Sequence, residues 1–342
     1  MVRMFTLLMC AMVCMCSTFN SRAQSIDSML IEGISLVHQE KFTEAFDLFD
    51  STIALAPDLP VGYFFKAAAY ANLAGDYRNL TYSDTFFTYI DQAIDIGKAR
   101  KESGQATSED IFFYGGAVGF RGIYKSFRGD WFGAFKDGLK GKGILKEAWE
   151  MDSTYYDTYY GLGAYDYWRS AKTKILWWLP FFSDNRKKGI DQIYLAIEKG
   201  KLVKNEAKYS LLRIYENEKD YKAIIDLWEN YLKEINPDDP FALFFLGRSL
   251  AELQRFEEAI DIFSRLLDFY CQSPYYDPGA ELDVCYNLGV FYYNWGKYEE
   301  AVKYLSLAKD LAESMSFRKD IEEAVENSRD YYNKALAALE DN

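Results

Sequence analysis

The chain has 342 residues, of which 49% are hydrophobic and 27% charged, so it can bury a large core and is not disordered. Its formal net charge of −13 at pH 7 is opposite in sign to the basic footprint of a nucleic-acid-binding protein, so nucleic acid is not expected as a partner. Proline is scarce, at seven residues, which favours a mostly helical chain.

The first 23 residues predict a secretory signal peptide. One arginine precedes the short apolar run FTLLMCAMVCMC, and the polar stretch that follows contains Ala23, after which we place the cleavage site. The apolar run is too short to span a bilayer. Lipidation is not favoured, because no cysteine in this segment follows a small residue. We therefore expect an exported protein, either periplasmic or associated with the envelope.

Residues 27–59 predict the first helical pair. Gly33 in the first helix lets a second helix approach closely, and that second helix carries Phe42, Ala45 and Phe49 at helical spacing. Irregular pairs are expected between residues 60 and 237. One of them has three glycines on one helical face, a pattern that favours close helix packing because it fits no phosphate-binding motif: Gly115, Gly119 and Gly122.

The stretch ILWWLPFFSDNRKK, from residue 175 to residue 188, interrupts one of the irregular pairs. Three interpretations stay open for its aromatic residues, Trp177, Trp178, Phe181 and Phe182. They pack inside the solenoid, they contact a membrane surface beside the following basic residues, or they form the wall of a ligand pocket. Packing is favoured, since a conspicuous aromatic cluster is usually part of a core.

Two regular pairs follow, over residues 240–270 and 279–312. Each has a Leu-Gly step in its first helix, at Gly247 and Gly289, and an alanine in its second, at Ala259 and Ala301. These spacings resemble the tetratricopeptide repeat, a helix-turn-helix unit with a period of about 34 residues. The resemblance implies an all-α solenoid of about seven helical pairs, which we bound at residues 24–317. The charged, amphipathic residues 318–342 predict a capping helix.

A second resemblance covers the middle and C-terminal parts of the chain. The stretches DIFFYGGAVGFRGIYKSFRGD, WWLPFFSDNRKKGIDQIYLAIEKG and FLGRSLAELQRFEEAIDIFSRLL resemble the eukaryotic inclusion-body clearance family of tetratricopeptide proteins. That resemblance implies an irregular first half and a regular second half. The present chain differs in being shorter and in carrying a predicted signal peptide.

The resemblance to tetratricopeptide repeats also implies a concave groove lined by the first helix of each pair. Counting from the Leu-Gly steps at residues 162–163, 246–247 and 288–289 gives aromatic and arginine residues suited to binding a peptide or helix: Tyr160, Tyr167, Phe244, Arg248, Tyr286 and Tyr293. The weaker unit at about residues 205–237 adds Tyr209 and Arg213. Cys271 and Cys285 would remain after signal cleavage, either as a disulfide or as two free thiols.

Catalysis has little support in the sequence. The single histidine, His38, is expected to be a partly exposed helix residue, which argues against histidine-based catalytic and metal sites. We expect no enzyme activity, no cofactor and no metal. The sequence favours a scaffold that binds a peptide or protein segment in the groove; the alternative is a lipid- or small-molecule-binding protein with an apolar pocket around Trp177 and Phe181. Membrane contact is not favoured, and the oligomeric state is open.

Overall fold

A computed structural model describes residues 24–173, 183–315 and 321–341, and every regular element in these ranges is helical. The helices are α1 (24–38), α2 (Phe42–Leu55), α3 (Pro60–Asp76), α4 (Ser83–Glu102), α5 (Ser108–Phe127), α6 (Trp131–Met151), α7 (Asp157–Lys172), α8 (Arg186–Lys199), α9 (Lys204–Glu218), α10 (Tyr221–Leu227), α11 (Lys233–Ile235), α12 (Pro240–Glu252), α13 (Phe256–Gln272), α14 (Pro278–Asn294), α15 (Tyr298–Ser314) and α16 (Glu322–Glu340).

Successive helices pack as pairs, beginning with α1–α2 and ending with α14–α15. In the fifth pair a π-helical turn at Trp228–Leu232 joins α10 to α11, so these segments together form one second helix. The final helix, α16, packs on α14 and α15. The structure thus confirms the predicted all-α solenoid of seven helical pairs with a C-terminal capping helix.

Local sequence explains where several of the first helices begin. Pro60, Pro240 and Pro278 each occupy the first helical position, where the missing N–H costs no hydrogen bond. Asp239 and Asp277 precede the last two prolines and accept hydrogen bonds from backbone N–H groups in the first turn. These caps fix the start of α12 and α14, and hence the register of the residues that they carry inward.

Glycines set the closest contacts between paired helices. An added Cβ at Gly163 of α7 would lie 2.5 Å from the carbonyl oxygen of Gly189 in α8, and the reciprocal contact is equally short. At Gly115 of α5, a Cβ would lie 2.9 Å from the backbone nitrogen of Leu145 in α6. The predicted packing role of the glycine-rich helix α5 is therefore confirmed at Gly115.

The solenoid curls until its first two pairs touch its last three pairs. His38, at the end of α1, stacks on Tyr209 of α9 with ring centroids 4.8 Å apart. Tyr77, just after α3, packs against Tyr270 and Tyr275 near the end of α13. Arg78 then forms an ion pair with Asp283 of α14 at 2.7 Å. We call this set of long-range contacts the closure.

Two predicted features lie outside the described residues: the signal peptide over 1–23 and the aromatic loop with Trp177, Trp178, Phe181 and Phe182. Of the helices in the described ranges, none is both long and apolar enough to cross a bilayer.

The glycine contact between α7 and α8 generates a stability prediction. We expect Gly163→Ala to lower the free energy of unfolding by about 1–3 kcal/mol, because the new methyl group meets backbone that cannot rotate away. The matched control is Gly143→Ala in α6, where nothing lies within 4 Å of the added Cβ. There, the higher helix propensity of alanine should raise stability by up to about 1 kcal/mol. Urea denaturation measures both, and equal effects would contradict the packing role of Gly163.

Candidate functional site

The closure brings the first two pairs next to α9, α12 and α14, and the surface where these elements and α7 meet is here called the inner surface. The first pairs contribute residues from the turns after α1 and α3. Glu40 and Arg78 occupy these turns with left-handed backbone, at φ of 62° and 54°. This conformation ends each helix abruptly. The Glu40 carboxylate then accepts a hydrogen bond from Tyr77, just after α3, and Arg78 reaches Asp283 of α14.

Three of the predicted groove residues are buried in the core. The Tyr167 hydroxyl donates to Glu218 at 2.7 Å, and the Tyr209 hydroxyl donates to Asp239 at 2.9 Å. Tyr286 packs edge-on against Tyr331 of the capping helix. All three side chains are almost fully buried, so in this structure they support the helix packing rather than an accessible surface.

Four other predicted residues, Tyr160, Arg213, Phe244 and Arg248, lie on the inner surface. Tyr160 and Arg213 interact electrostatically across it, while Arg213 stacks over Phe241 at 4.9 Å. Phe244 is contacted by two guanidinium groups, those of Arg78 at 5.5 Å and Arg248 at 5.8 Å. The eighth predicted residue, Tyr293, instead contacts Tyr298 and Tyr331 at the cap end of the solenoid.

We call Arg78, Arg213 and Arg248 with Phe241 and Phe244 the arginine patch. Arg78 is paired with Asp283 at 2.7 Å, and Arg248 lies 3.6 Å from Glu216. Among the described residues, no carboxylate oxygen lies within the 4.0 Å ion-pair limit of Arg213.

Arg213 is exposed to solvent and yet surrounded by protein. Burial lowers the pKa of its guanidinium, and the nearby positive charge of Arg78 lowers it further. Its side chain nevertheless keeps a large solvent-accessible area. Water therefore reaches the guanidinium although protein atoms lie close around it. A charge in such a place is poorly solvated and has no protein counter-ion within ion-pair distance in the described part of the chain.

Carboxyl groups around the arginine patch hold their protons unusually tightly. Burial, reinforced by the charge of Asp239, raises the pKa of Glu40 to about 8, although the Tyr77 hydroxyl donates to it at 2.8 Å. Burial raises the pKa of Glu206 to about 7, and burial with the charge of Glu40 raises that of Asp76. At neutral pH the inner surface is therefore less negative than its count of acidic residues suggests.

The expectation that His38 is partly exposed is wrong. The residue is 5% exposed, because the closure packs the end of α1 against α9. Burial lowers the pKa of the imidazole to about 4, so the ring is neutral at pH 7. Its Nε2 atom lies 3.5 Å from Glu206 Oε1 and makes no hydrogen bond with described residues. His38 thus serves as a packed aromatic ring.

The two cysteines and the possible metal ligands show no sign of a reactive site among the described residues. Cys271 and Cys285 are free thiols, the first exposed and the second buried, and burial raises the pKa of Cys285 to about 12. Within the described ranges, no three His, Cys, Asp or Glu side chains are arranged to hold a metal ion.

Sequence reasoning missed Glu40, Asp76 and Arg78, which form the N-terminal side of the inner surface. These residues lie at helix ends in the first two pairs, outside the first-helix positions from which the groove was counted. Only the closure brings them to α9 and α14, and no local pattern signals it.

The raised carboxyl pKa values predict how stability depends on pH. Folding raises the pKa of Glu40 from 4.5 to about 8. Because the folded state then holds this proton more tightly than the unfolded state, the free energy of unfolding decreases as pH rises from 4.5 to about 8. The lowered pKa of His38 acts in the opposite direction, but only below its ordinary value of 6.5. Between pH 6.5 and 8.5 the free energy of unfolding should therefore fall.

Glu40→Gln should make the decrease in the free energy of unfolding between pH 6.5 and 8.5 smaller, since the amide cannot ionise. Glu299→Gln, on the exposed start of α15, should leave that decrease unchanged. Urea denaturation at the two pH values measures the difference. The same decrease in wild type and Glu40→Gln would show that Glu40 does not titrate in this range.

Comparison with known proteins identifies the repeat type. Sequence profiles of the tetratricopeptide repeat match residues 218–274 and 282–315. No curated protein matches the chain. A crystal structure of YrrB, described as a TPR protein with an unusual peptide-binding site, is 19% identical, with 68% of this chain and 96% of that one aligned and a TM-score of 0.44.

Two further solved structures are similar. The C-terminal part of a TPR repeat-containing protein from Cytophaga hutchinsonii is 15% identical, with 91% of this chain and 99% of that one aligned and a TM-score of 0.44. The TPR2AB domain of yeast Sti1, in a complex with pHSP90, is 16% identical, with 92% and 99% aligned and a TM-score of 0.30. Together with the matched profiles, the helical pairs show that this chain is a helical solenoid containing tetratricopeptide repeats.

Proposed function

We propose that the protein is a non-catalytic scaffold that binds a segment of a partner protein on its inner surface, with a carboxylate of that segment contacting Arg213. The observation that carries the proposal is Arg213 itself, a solvent-exposed guanidinium packed over Phe241 with no carboxylate within 4.0 Å among the described residues.

Charge supports an anionic group at this position. A poorly solvated guanidinium gains more from an incoming carboxylate than a fully hydrated one, because less hydration is lost when the pair forms. The raised pKa values of Asp76 and Glu206 reduce the opposing negative charge at neutral pH. Arg78, whose charge already lowers the pKa of Arg213, adds to the attraction.

Shape supports a peptide or protein segment as the source of the carboxylate. Phe241 and Phe244 are the aromatic members of the arginine patch, and contacts with Phe245 fix their rings. Arg213 also interacts electrostatically with Tyr160. Aromatic and arginine side chains held in this way lose little conformational freedom when a partner binds, so more of the contact energy appears as affinity.

Other parts of the proposal rest on sequence alone. Export to the periplasm or envelope is inferred from residues 1–23, and the resemblance to the inclusion-body clearance family supports a scaffold role only through its repeat architecture. The alternative, a lipid or small-molecule pocket around Trp177, involves a loop that lies outside the described residues.

A displayed peptide library selected against the wild-type protein tests the proposal. Selected peptides should carry an acidic side chain or a free C-terminal carboxylate, and Arg213→Ala should weaken their binding by about 10- to 100-fold, the range expected for a charged hydrogen bond. Arg255→Ala, before α13, is the matched control and should bind like wild type.

A double-mutant cycle then shows whether the contact is direct. Arg213→Ala should cost little affinity toward a peptide whose carboxylate has been replaced by an amide. If the selected peptides lack acidic groups, or if the losses from Arg213→Ala and from the amide simply add, the proposed contact is wrong.

A further inference from the structure

The first two turns of α6 present an apolar stripe to solvent. Trp131, Phe132, Phe135 and Leu139 are 63%, 81%, 66% and 48% exposed. Their spacing places all four on one side of the helix, within about 100° of arc. The residues of α6 that pack into the core, such as Asp137 and Gly141, lie on the opposite side. We call the four exposed residues the α6 stripe.

This stripe departs from the pattern of the regular repeats. Helix α13 begins with Phe256 followed by Glu257, and α15 begins with Tyr298 followed by Glu299; both glutamates face solvent. In α6 the first helical residue is Trp131, and the next is Phe132. A position that carries charge in the regular units is thus occupied here by the most exposed large hydrophobic residue in the described ranges. An apolar cluster of this kind indicates an interaction site.

The surroundings of the stripe are basic, although the chain as a whole is acidic. Residues 120–146 contain seven Lys or Arg and two Asp, against a net charge of −13 for the whole chain. Five of these seven cations lie within ion-pair distance of a carboxylate: Arg121 and Lys125 share the buried Asp137, Arg128 pairs with Asp84, Lys142 with Asp166 and Lys146 with Glu150. Lys136 and Lys140, beside the stripe on α6, are exposed and have no carboxylate of the described residues within 4.0 Å.

We propose that the α6 stripe docks on the surface of a bilayer that contains anionic lipids. Trp and Phe side chains enter the boundary between headgroups and acyl chains, while the flanking lysines contact lipid phosphates. Charge complementarity selects this partner and this orientation, because an anionic surface attracts Lys136 and Lys140 beside the stripe and repels the acidic remainder of the chain. Contact between the stripes of two copies is disfavoured, since it brings Lys136 and Lys140 of both copies together.

Co-sedimentation of the purified protein with vesicles tests the proposal. Wild type should bind vesicles of phosphatidylcholine with phosphatidylglycerol and bind those of phosphatidylcholine alone much more weakly. Phe132→Ser with Phe135→Ser should reduce binding about tenfold or more, because two exposed aromatic anchors are lost. Lys136→Glu with Lys140→Glu should also reduce it and should make the residual binding less sensitive to salt.

Matched controls are Ile31→Ser with Leu307→Ser, which removes exposed apolar residues elsewhere, and Lys222→Glu with Lys233→Glu, which reverses exposed charges elsewhere. Both should bind like wild type, and circular dichroism checks that every variant stays helical. A blue shift of tryptophan fluorescence on adding anionic vesicles should be reduced in Trp131→Phe.

Four outcomes would overturn the proposal: wild type fails to bind anionic vesicles; it binds neutral vesicles equally well; the stripe variants bind like wild type; or Trp177→Ser with Trp178→Ser abolishes binding while the stripe variants do not. If the wild type is a dimer that does not bind vesicles, and if Phe132→Ser with Phe135→Ser makes it a monomer, the stripe is instead a contact between copies.

Discussion

The stacking of His38 on Tyr209 is the contact on which the inner surface depends. It joins the end of the first helix to the fifth helical pair, and the Asn236 side-chain amide reinforces it by donating to the His38 carbonyl at 2.9 Å. The contacts of Tyr77 with α13 and of Arg78 with α14 act with it to hold the first two pairs against the last three. With these contacts, the turns after α1 and α3 become part of the surface formed by α9, α12 and α14, and the polar groups between them are removed from most of their solvent.

That loss of solvent explains both the carboxyl and the arginine chemistry of the site. Glu40, Glu206 and Asp76 retain protons because burial penalises their charged forms. Arg213 cannot release its proton so readily and remains a cation in the same environment. The inner surface therefore combines neutralised acids with a charged guanidinium. This asymmetry would not arise if the same residues lay on an open groove with their ordinary pKa values.

The sequence predicted the repeats well and the site only in part. Periodic glycine, alanine and aromatic positions report on contacts between neighbouring helices, so the helical pairs and the close approach at Gly115 could be read from local spacing. Tyr167 and Tyr209 were assigned to an accessible groove because their positions in the repeat usually face it, yet both are buried here. His38 was misjudged for the same reason. Tyr209 and His38 are buried by the closure, which joins residues far apart in the chain and leaves no periodic signal, whereas Tyr167 is buried against α9 of the next pair.

The closure also changes how the molecule responds when part of it unfolds. An open solenoid transmits stability only between neighbouring repeats, so its ends fray independently. Here the Arg78–Asp283 pair spans 205 positions of sequence, and the order of the entire intervening chain is needed to form it. Such a contact is expected to form late in folding and to break early in partial opening. The Arg78–Asp283 pair thus acts as a latch, and releasing it would open the inner surface around Arg213 while the individual helical pairs remained intact.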